Sequence, residues 1–160
     1  MLRFCDNPEI VLPRTDDLST IPGTWHVGHT KARCEKAFAV DLTALGIPYF
    51  LPMVERVTFS GGRKRRGMLP LFSSYVFFAG GEAERDQAMR TDRLCRVIEV
   101  NDQGRLIEGL SVILRALRDR SPVEKLIGQV MQMEQFASME IAPQLLESTT
   151  EALEPVGRVS

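Results

Sequence analysis

The chain has 160 residues, of which 44% are hydrophobic and 26% charged, and 20 basic against 21 acidic residues leave a net charge of −1. This length suits one domain with tails, the composition is that of a soluble globular protein, and no apolar run approaches the roughly 18 residues that span a membrane. The near-zero net charge excludes a protein that binds polyanions over its whole surface, so any contact with nucleic acid must be local.

The amino-terminal part of the chain should be irregular. Residues 1–22 contain three prolines and no sustained hydrophobic period, which predicts an extended or disordered lead-in. Order should begin near Thr24 with a short strand. Thr30 can then act as the N-cap of a helix over Lys31–Leu45, which Gly46 would end.

The middle of the chain predicts a β-hairpin. Ile47–Phe59 is β-prone, and its two prolines confine it to an edge or to an irregular entry. Leu71–Ala79 is nearly continuous in apolar and aromatic residues, as expected of a central strand. Between these two runs, Gly61–Arg66 forms a short turn that carries four cations.

A second helix over Glu82–Thr91 and a fourth strand over Leu94–Val100 complete the order βαββαβ. This order is typical of an α+β fold, the ferredoxin-like plait, in which an antiparallel four-stranded sheet carries helices on one face. C-terminal helices should follow, first over the apolar period from Ile107 to Leu117 and then over 123–134.

The predicted domain organisation has three parts. Residues 1–22 form the lead-in, 23–120 the globular domain, and 121–160 a helical and then acidic tail.

No residue pattern predicts catalysis or metal binding. The three cysteines are widely spaced and form no Cys-x-x-Cys pair, which argues against a disulfide framework and a thiolate zinc site. His26 and His29 are the only histidines, and their spacing on a strand points them to opposite faces. We therefore expect no enzyme, no cofactor and no metal, and, without a signal-peptide pattern, a cytoplasmic protein.

Two kinds of side chain are candidates for binding. Aromatic residues could form an interface, although aromatics that alternate along strands are usually core; Tyr75 is the one expected to be exposed. Arg63–Arg66 could contact phosphates or simply solvate the tip of the hairpin. Lys31, Arg33 and Lys36 add charge near the first helix, either as a phosphate contact or as a solvated face. The aromatic residues are Phe50, Phe72, Tyr75, Phe77 and Phe78.

Trp25, the segment Thr30–Lys36 and the run Tyr49–Phe78 resemble the amino-terminal domain of the NusG/RfaH family of transcription elongation factors, and are most similar to its specialised, RfaH-like members. The resemblance covers roughly Thr24–Leu117. It implies an α/β plait that binds the clamp helices of the RNA polymerase β′ subunit through an apolar depression. By similarity, the polymerase-binding positions are Phe50, Leu51, Pro52, Phe72, Tyr75 and Phe77, with Glu84 and Arg85 reaching the gate loop of the β subunit.

The same resemblance implies contact with the non-template DNA strand. The nucleic-acid-binding candidates are Lys31, Arg33, Arg63, Lys64, Arg65, Arg66 and Arg93. The chain departs from the family at Ser73-Ser74, where Pro followed by Gly or Asn is common. It also ends where family members continue into a β-barrel with a KOW motif, so no complete KOW domain is expected in this sequence; either the barrel has been cut away or the protein has one domain. We expect a monomer.

The sequence therefore predicts a transcription elongation or antitermination factor that binds RNA polymerase and suppresses pausing or termination. The alternative is a single-stranded nucleic-acid-binding plait that uses its aromatic residues as stacking platforms and Arg63–Arg66 on phosphates. A protein-interaction adaptor unrelated to transcription is a third possibility.

Overall fold

The computed structural model describes residues 7–120. The predicted helical period over 123–134 and the acidic tail lie outside the described residues. The elements in chain order are β1 (Val11–Leu12), a short 3-10 turn (Leu18–Thr20), β2 (Thr24–Thr30), α1 (Glu35–Leu45), β3 (Tyr49–Phe50), β4 (Met53–Ser60), β5 (Arg63–Pro70), β6 (Tyr75–Gly80), α2 (Glu82–Arg90), β7 (Leu94–Glu99) and α3 (Gln103–Arg118).

The centre of the fold is a five-stranded sheet in the order β1-β3-β6-β2-β7, and all its pairings are antiparallel. Every residue of β6, the middle strand, is buried, as the apolar run predicted. The α+β class and the plait-like arrangement are thereby confirmed, with one strand more than expected.

Helices cover both faces of this sheet. Successive side chains of β6 point to opposite faces, so this strand contributes to a core on each side. Val76 and Phe78 pack with residues of α1 and α2 on one face. Phe77, on the other face, packs with residues of α3 and of the amino-terminal segment. The plait helices α1 and α2 thus share one face, and the C-terminal helix α3 occupies the opposite one.

The additional strand comes from the lead-in, where no order was expected before Thr24. Val11 and Leu12 pair with Phe50 and Tyr49, and the hydroxyl of Tyr49 donates to the carbonyl oxygen of Glu9 at 2.7 Å. Two residues give no readable period, yet they satisfy backbone groups on the open edge of β3. Residues 7–22 therefore contribute to the core.

Helix α1 begins later than predicted, at Glu35 rather than Lys31. The backbone N–H of Lys31 donates to the carbonyl of Arg93 at 2.8 Å, so this part of the chain continues beside β7. Arg33 then turns the chain with a φ of 61°. The predicted end is confirmed, since Gly46 adopts a left-handed conformation with φ 72°.

The predicted hairpin is confirmed in one part and wrong in the other. The run Ile47–Phe59 splits into β3 and β4. β3 pairs antiparallel with β6, in the next apolar run, as predicted, but β4 pairs with β5 instead. Its turn is only Gly61-Gly62, with φ values of 58° and 78°, the positive values that a two-residue hairpin turn requires. Arg63–Arg66 therefore lie in a strand, and not in a flexible loop.

Candidate functional site

The aromatic residues assigned to polymerase binding lie together in the core. Phe50 and Phe77 are 0% exposed, Phe72 is 1% exposed, and Tyr75, which was expected to be the exposed member, is 6% exposed. They share a cluster with residues of α3 and with Leu18 of the 3-10 turn. Leu51 and Pro52, at the break between β3 and β4, are buried as well. This aromatic face is thus covered by α3 and the lead-in.

The loop before β6 is held by a residue that the sequence analysis missed. A carboxylate oxygen of Glu35 accepts a hydrogen bond from the backbone N–H of Ser74 at 2.8 Å, and Glu35 is only 8% exposed. Ser74 has a φ of 69°, a left-handed conformation that favours Gly or Asn. An acidic residue in the first turn of a helix is usually explained by the helix dipole, so nothing in the sequence pointed to this contact.

The two histidines lie on opposite faces of the sheet, as their spacing predicted. The ring of His26 lies 5.2 Å from that of Phe78, in the core beneath α1 and α2. His29 stacks on Tyr75 at 5.0 Å with an interplanar angle of 20°. Burial, together with the charge of Arg96, lowers the pKa of His29.

Glu84 and Arg85, the gate-loop candidates, lie in the first turn of α2, and Arg85 lines an open cleft of about 550 Å³. Nη1 of Arg85 lies 3.4 Å from a carboxylate oxygen of Glu99 across this cleft. His26 lines the cleft and is 7% exposed, with Nε2 3.1 Å from the carbonyl oxygen of Gly80. No pattern in the sequence indicated that His26 would line a cleft.

The cations near α1 are partly neutralised by carboxylates. Nζ of Lys31 lies 2.8 Å from Asp92, and Nε of Arg93 lies 3.0 Å from Asp41. The hydrogen bond to Asp92 raises the pKa of Lys31, and the bond to Asp41 raises that of Arg93. Arg33 is exposed on the turn between β2 and α1. Lys31 and Arg93 are neighbours, but both already have acidic partners.

The four cations of β5 have fewer acidic partners. We call the hairpin β4–β5, residues 53–70, the basic ribbon. Arg63, Lys64, Arg65 and Arg66 are all exposed. Within residues 7–120, the one ion pair of this group is between Arg66 and Glu55, at 3.9 Å. The ribbon therefore carries the less neutralised of the two basic groups.

The described residues offer no group of three His, Cys, Asp or Glu side chains that could hold a metal ion. Between Asn7 and Arg120, no helix is both long and apolar enough to cross a membrane.

Comparison with known proteins gives one finding on the family. A search of curated proteins finds no match to this chain. A scan against protein-family models matches residues 23–108 to NusG, described as transcription termination factor nusG. The matched segment is more than half of the chain and runs from the start of β2 into α3. It coincides with the region whose residues resemble this family, and the chain belongs to the NusG family of transcription factors.

Proposed function

We propose that this protein is a transcription elongation or antitermination factor that binds RNA polymerase at the clamp helices of the β′ subunit and suppresses pausing or termination. The observation that carries the proposal is the NusG-family match over residues 23–108. The family is one of non-catalytic transcription factors. In this proposal the protein acts in the cytoplasm, by binding rather than by catalysis.

The proposed polymerase site is the margin of the aromatic face. Phe72 is enclosed, but it sits in the loop between the basic ribbon and β6, where Ser73 and Ser74 are partly exposed. The ring of Phe72 contacts that of Phe77 edge-on at 5.8 Å. Such packing fixes the shape of the loop, so Phe72, Tyr75 and Phe77 would act as positioning residues beneath the surface that the clamp helices touch.

A factor that bridges the two sides of the polymerase cleft would suppress pausing only if it binds the closed clamp better than the open one. Glu84 and Arg85 are the residues proposed for the second contact, to the gate loop. A differential affinity of about 1.4 kcal/mol would change the ratio of closed to open clamp tenfold. Contacts that favour the closed clamp by this small free energy therefore suffice.

The test is a pull-down of the full chain with core RNA polymerase and with the isolated β′ clamp-helix fragment. Phe72→Leu is compared with Phe38→Leu, because Phe38 is as buried as Phe72 but belongs to α1 and packs in the core on the opposite face of the sheet. Leucine retains most of the apolar volume, whereas alanine at Phe77 would cost about 3–5 kcal/mol and threaten the fold.

We expect wild-type protein to capture both the polymerase and the fragment. Phe72→Leu should weaken fragment binding and restore pausing in a transcription assay, while Phe38→Leu should do neither. Capture of neither by the folded wild-type protein would contradict the proposal. Equal loss in both variants would contradict the assignment of the site.

A second candidate function is the binding of single-stranded nucleic acid. The observation that favours it is the basic ribbon, with four exposed cations in succession. The stacking platforms first assigned to this function, including Phe50, Phe72 and Phe77, are buried. If the protein binds single strands, another aromatic residue must receive the bases.

A further inference from the structure

The outer part of the basic ribbon presents an aromatic ring to solvent. Phe59 is 60% exposed, the largest exposed fraction among the apolar side chains so described, and Val57 beside it is 37% exposed. The pairing sets Phe59 opposite Lys64 and Val57 opposite Arg66. Because residues directly opposite each other in an antiparallel pair share a face, all four side chains lie on one face of the ribbon.

This face carries more positive than negative charge. Glu55, opposite Met68, lies on the same face, and its carboxylate is 3.9 Å from Nε of Arg66, between side chains that are 56% and 66% exposed. Such an exposed ion pair is weak, and residues 57–66 include four basic residues and no acidic one. Lys64 and Arg66 are two residues apart, so they stand about 6.7 Å from each other along the strand. This spacing gives two cations in line beside one aromatic ring.

A solvated hairpin end does not explain this combination. Charged residues on a free strand edge prevent pairing with other chains, but an exposed phenylalanine in the same place would promote it. Aromatic rings beside cations are instead the arrangement that binds unpaired bases together with their phosphates. A duplex offers phosphates to the cations, but its bases are stacked on each other and cannot cover the ring of Phe59.

We propose that this face of the basic ribbon binds a single strand of nucleic acid, with a base stacked on Phe59 and phosphates contacted by Lys64 and Arg66. The inference rests on the proposed nucleic-acid-binding function and gives it a specific surface. The two-residue turn at Gly61-Gly62 fixes the register, so the ring and the cations are held on the same face before any strand binds.

The test uses the full chain and fluorescence anisotropy. The probes are a labelled oligothymidine of about twelve nucleotides, within the usual site size of single-strand-binding folds, and a duplex of the same length. Phe59→Ala should weaken binding of the single strand about 5- to 140-fold. The matched control is Met89→Ala, because Met89 is also an exposed apolar side chain, at 42%, but lies on α2.

The salt dependence tests the cations separately. Lys64→Ala and Arg66→Ala should each reduce the slope of log affinity against log salt by about 0.7, whereas Arg115→Ala, at an exposed position on α3, should leave it unchanged. Circular dichroism checks the fold of each variant. Binding of the duplex as tight as that of the single strand, unchanged binding by Phe59→Ala, or no oligonucleotide binding at all would each overturn the inference.

The polymerase pull-down separates this inference from the main proposal. Phe59→Ala should still capture core polymerase and the clamp-helix fragment. If polymerase is captured while oligothymidine is not, the ribbon assignment fails and the polymerase-binding function stands. If oligothymidine is bound and polymerase is not, the ribbon assignment stands alone.

Discussion

Replacing Glu35 by alanine should lower the free energy of unfolding by about 2 kcal/mol. The magnitude follows from one contact: the carboxylate of Glu35 accepts the backbone N–H of Ser74 at 2.8 Å, and the side chain is 8% exposed. A hydrogen bond to a charged group contributes about 1.5–3 kcal/mol, and its loss leaves a partly buried donor without an acceptor. Glu35→Gln keeps an acceptor oxygen and should cost about half as much.

Urea unfolding measures this loss, with the fluorescence of Trp25, which is 0% exposed, as the signal. The matched control is Glu82→Ala. Glu82 is also an acidic residue in the first turn of a helix, so both variants lose a helix-dipole interaction of about 0.3–1 kcal/mol. The difference between them isolates the bond to Ser74. If Glu35→Ala costs no more than Glu82→Ala, Glu35 does not hold the loop.

Three further predictions test other parts of the fold. Tyr49→Phe removes the hydroxyl that donates to Glu9 at 2.7 Å and should cost about 1 kcal/mol in urea unfolding; an unchanged value would argue against packing of the lead-in. Gly62→Ala forces a φ of 78° on a residue with a Cβ, which costs about 1–2 kcal/mol and should speed amide hydrogen exchange in β4 and β5, whereas unaltered exchange would refute the turn. The folded state lowers the pKa of His29, so the unfolded chain binds more protons, and the free energy of unfolding falls as the pH drops from about 6.5 through the folded pKa. His29→Gln should flatten this pH dependence, and a wild-type profile in the variant would exclude His29 as its cause.

Periodicity and glycine placement were sufficient for most of the central fold. The apolar run around Phe77 predicted a buried central strand, and Gly46 predicted the end of α1; both are confirmed. These features follow from local chemistry, because a strand covered on both faces must be apolar throughout and a left-handed residue favours glycine.

The features that were missed depend on contacts between distant parts of the chain. Val11 is ordered by β3, and the start of α1 is displaced because Lys31 pairs with the backbone of Arg93, about sixty positions away in the sequence. Local pattern also placed the cations of Arg63–Arg66 in a turn, because polar residues after two glycines usually form one. Their pairing with β4 could be recognised only from the register of the whole hairpin.

The candidate site shows the same division. The sequence identified the aromatic residues that cluster. Whether they are exposed depends on α3 and on Leu18, which are distant from them in the sequence and pack over them in the fold. The resemblance identified Lys31 and Arg93, but it did not reveal that Asp92 and Asp41 partly neutralise them. Burial and neutralisation are properties of the assembled fold. The aromatic candidates are buried against the central sheet, whereas the four cations of the basic ribbon are exposed to solvent.

Substitutions in the core and on the basic ribbon should differ in their effect on the free energy of unfolding. Phe77 lies in the packed core, where truncation of an aromatic side chain costs several kcal/mol out of a total stability of about 5–15 kcal/mol. Phe59 is 60% exposed, and substitutions at such positions usually change stability by less than about 0.5 kcal/mol. Substitutions on the outer ribbon should therefore leave the fold intact, whereas truncations on the aromatic face should destabilise it. Under the proposed binding of a nucleic-acid strand, specificity would be set by the ribbon, and the sheet would hold the ribbon in a constant position.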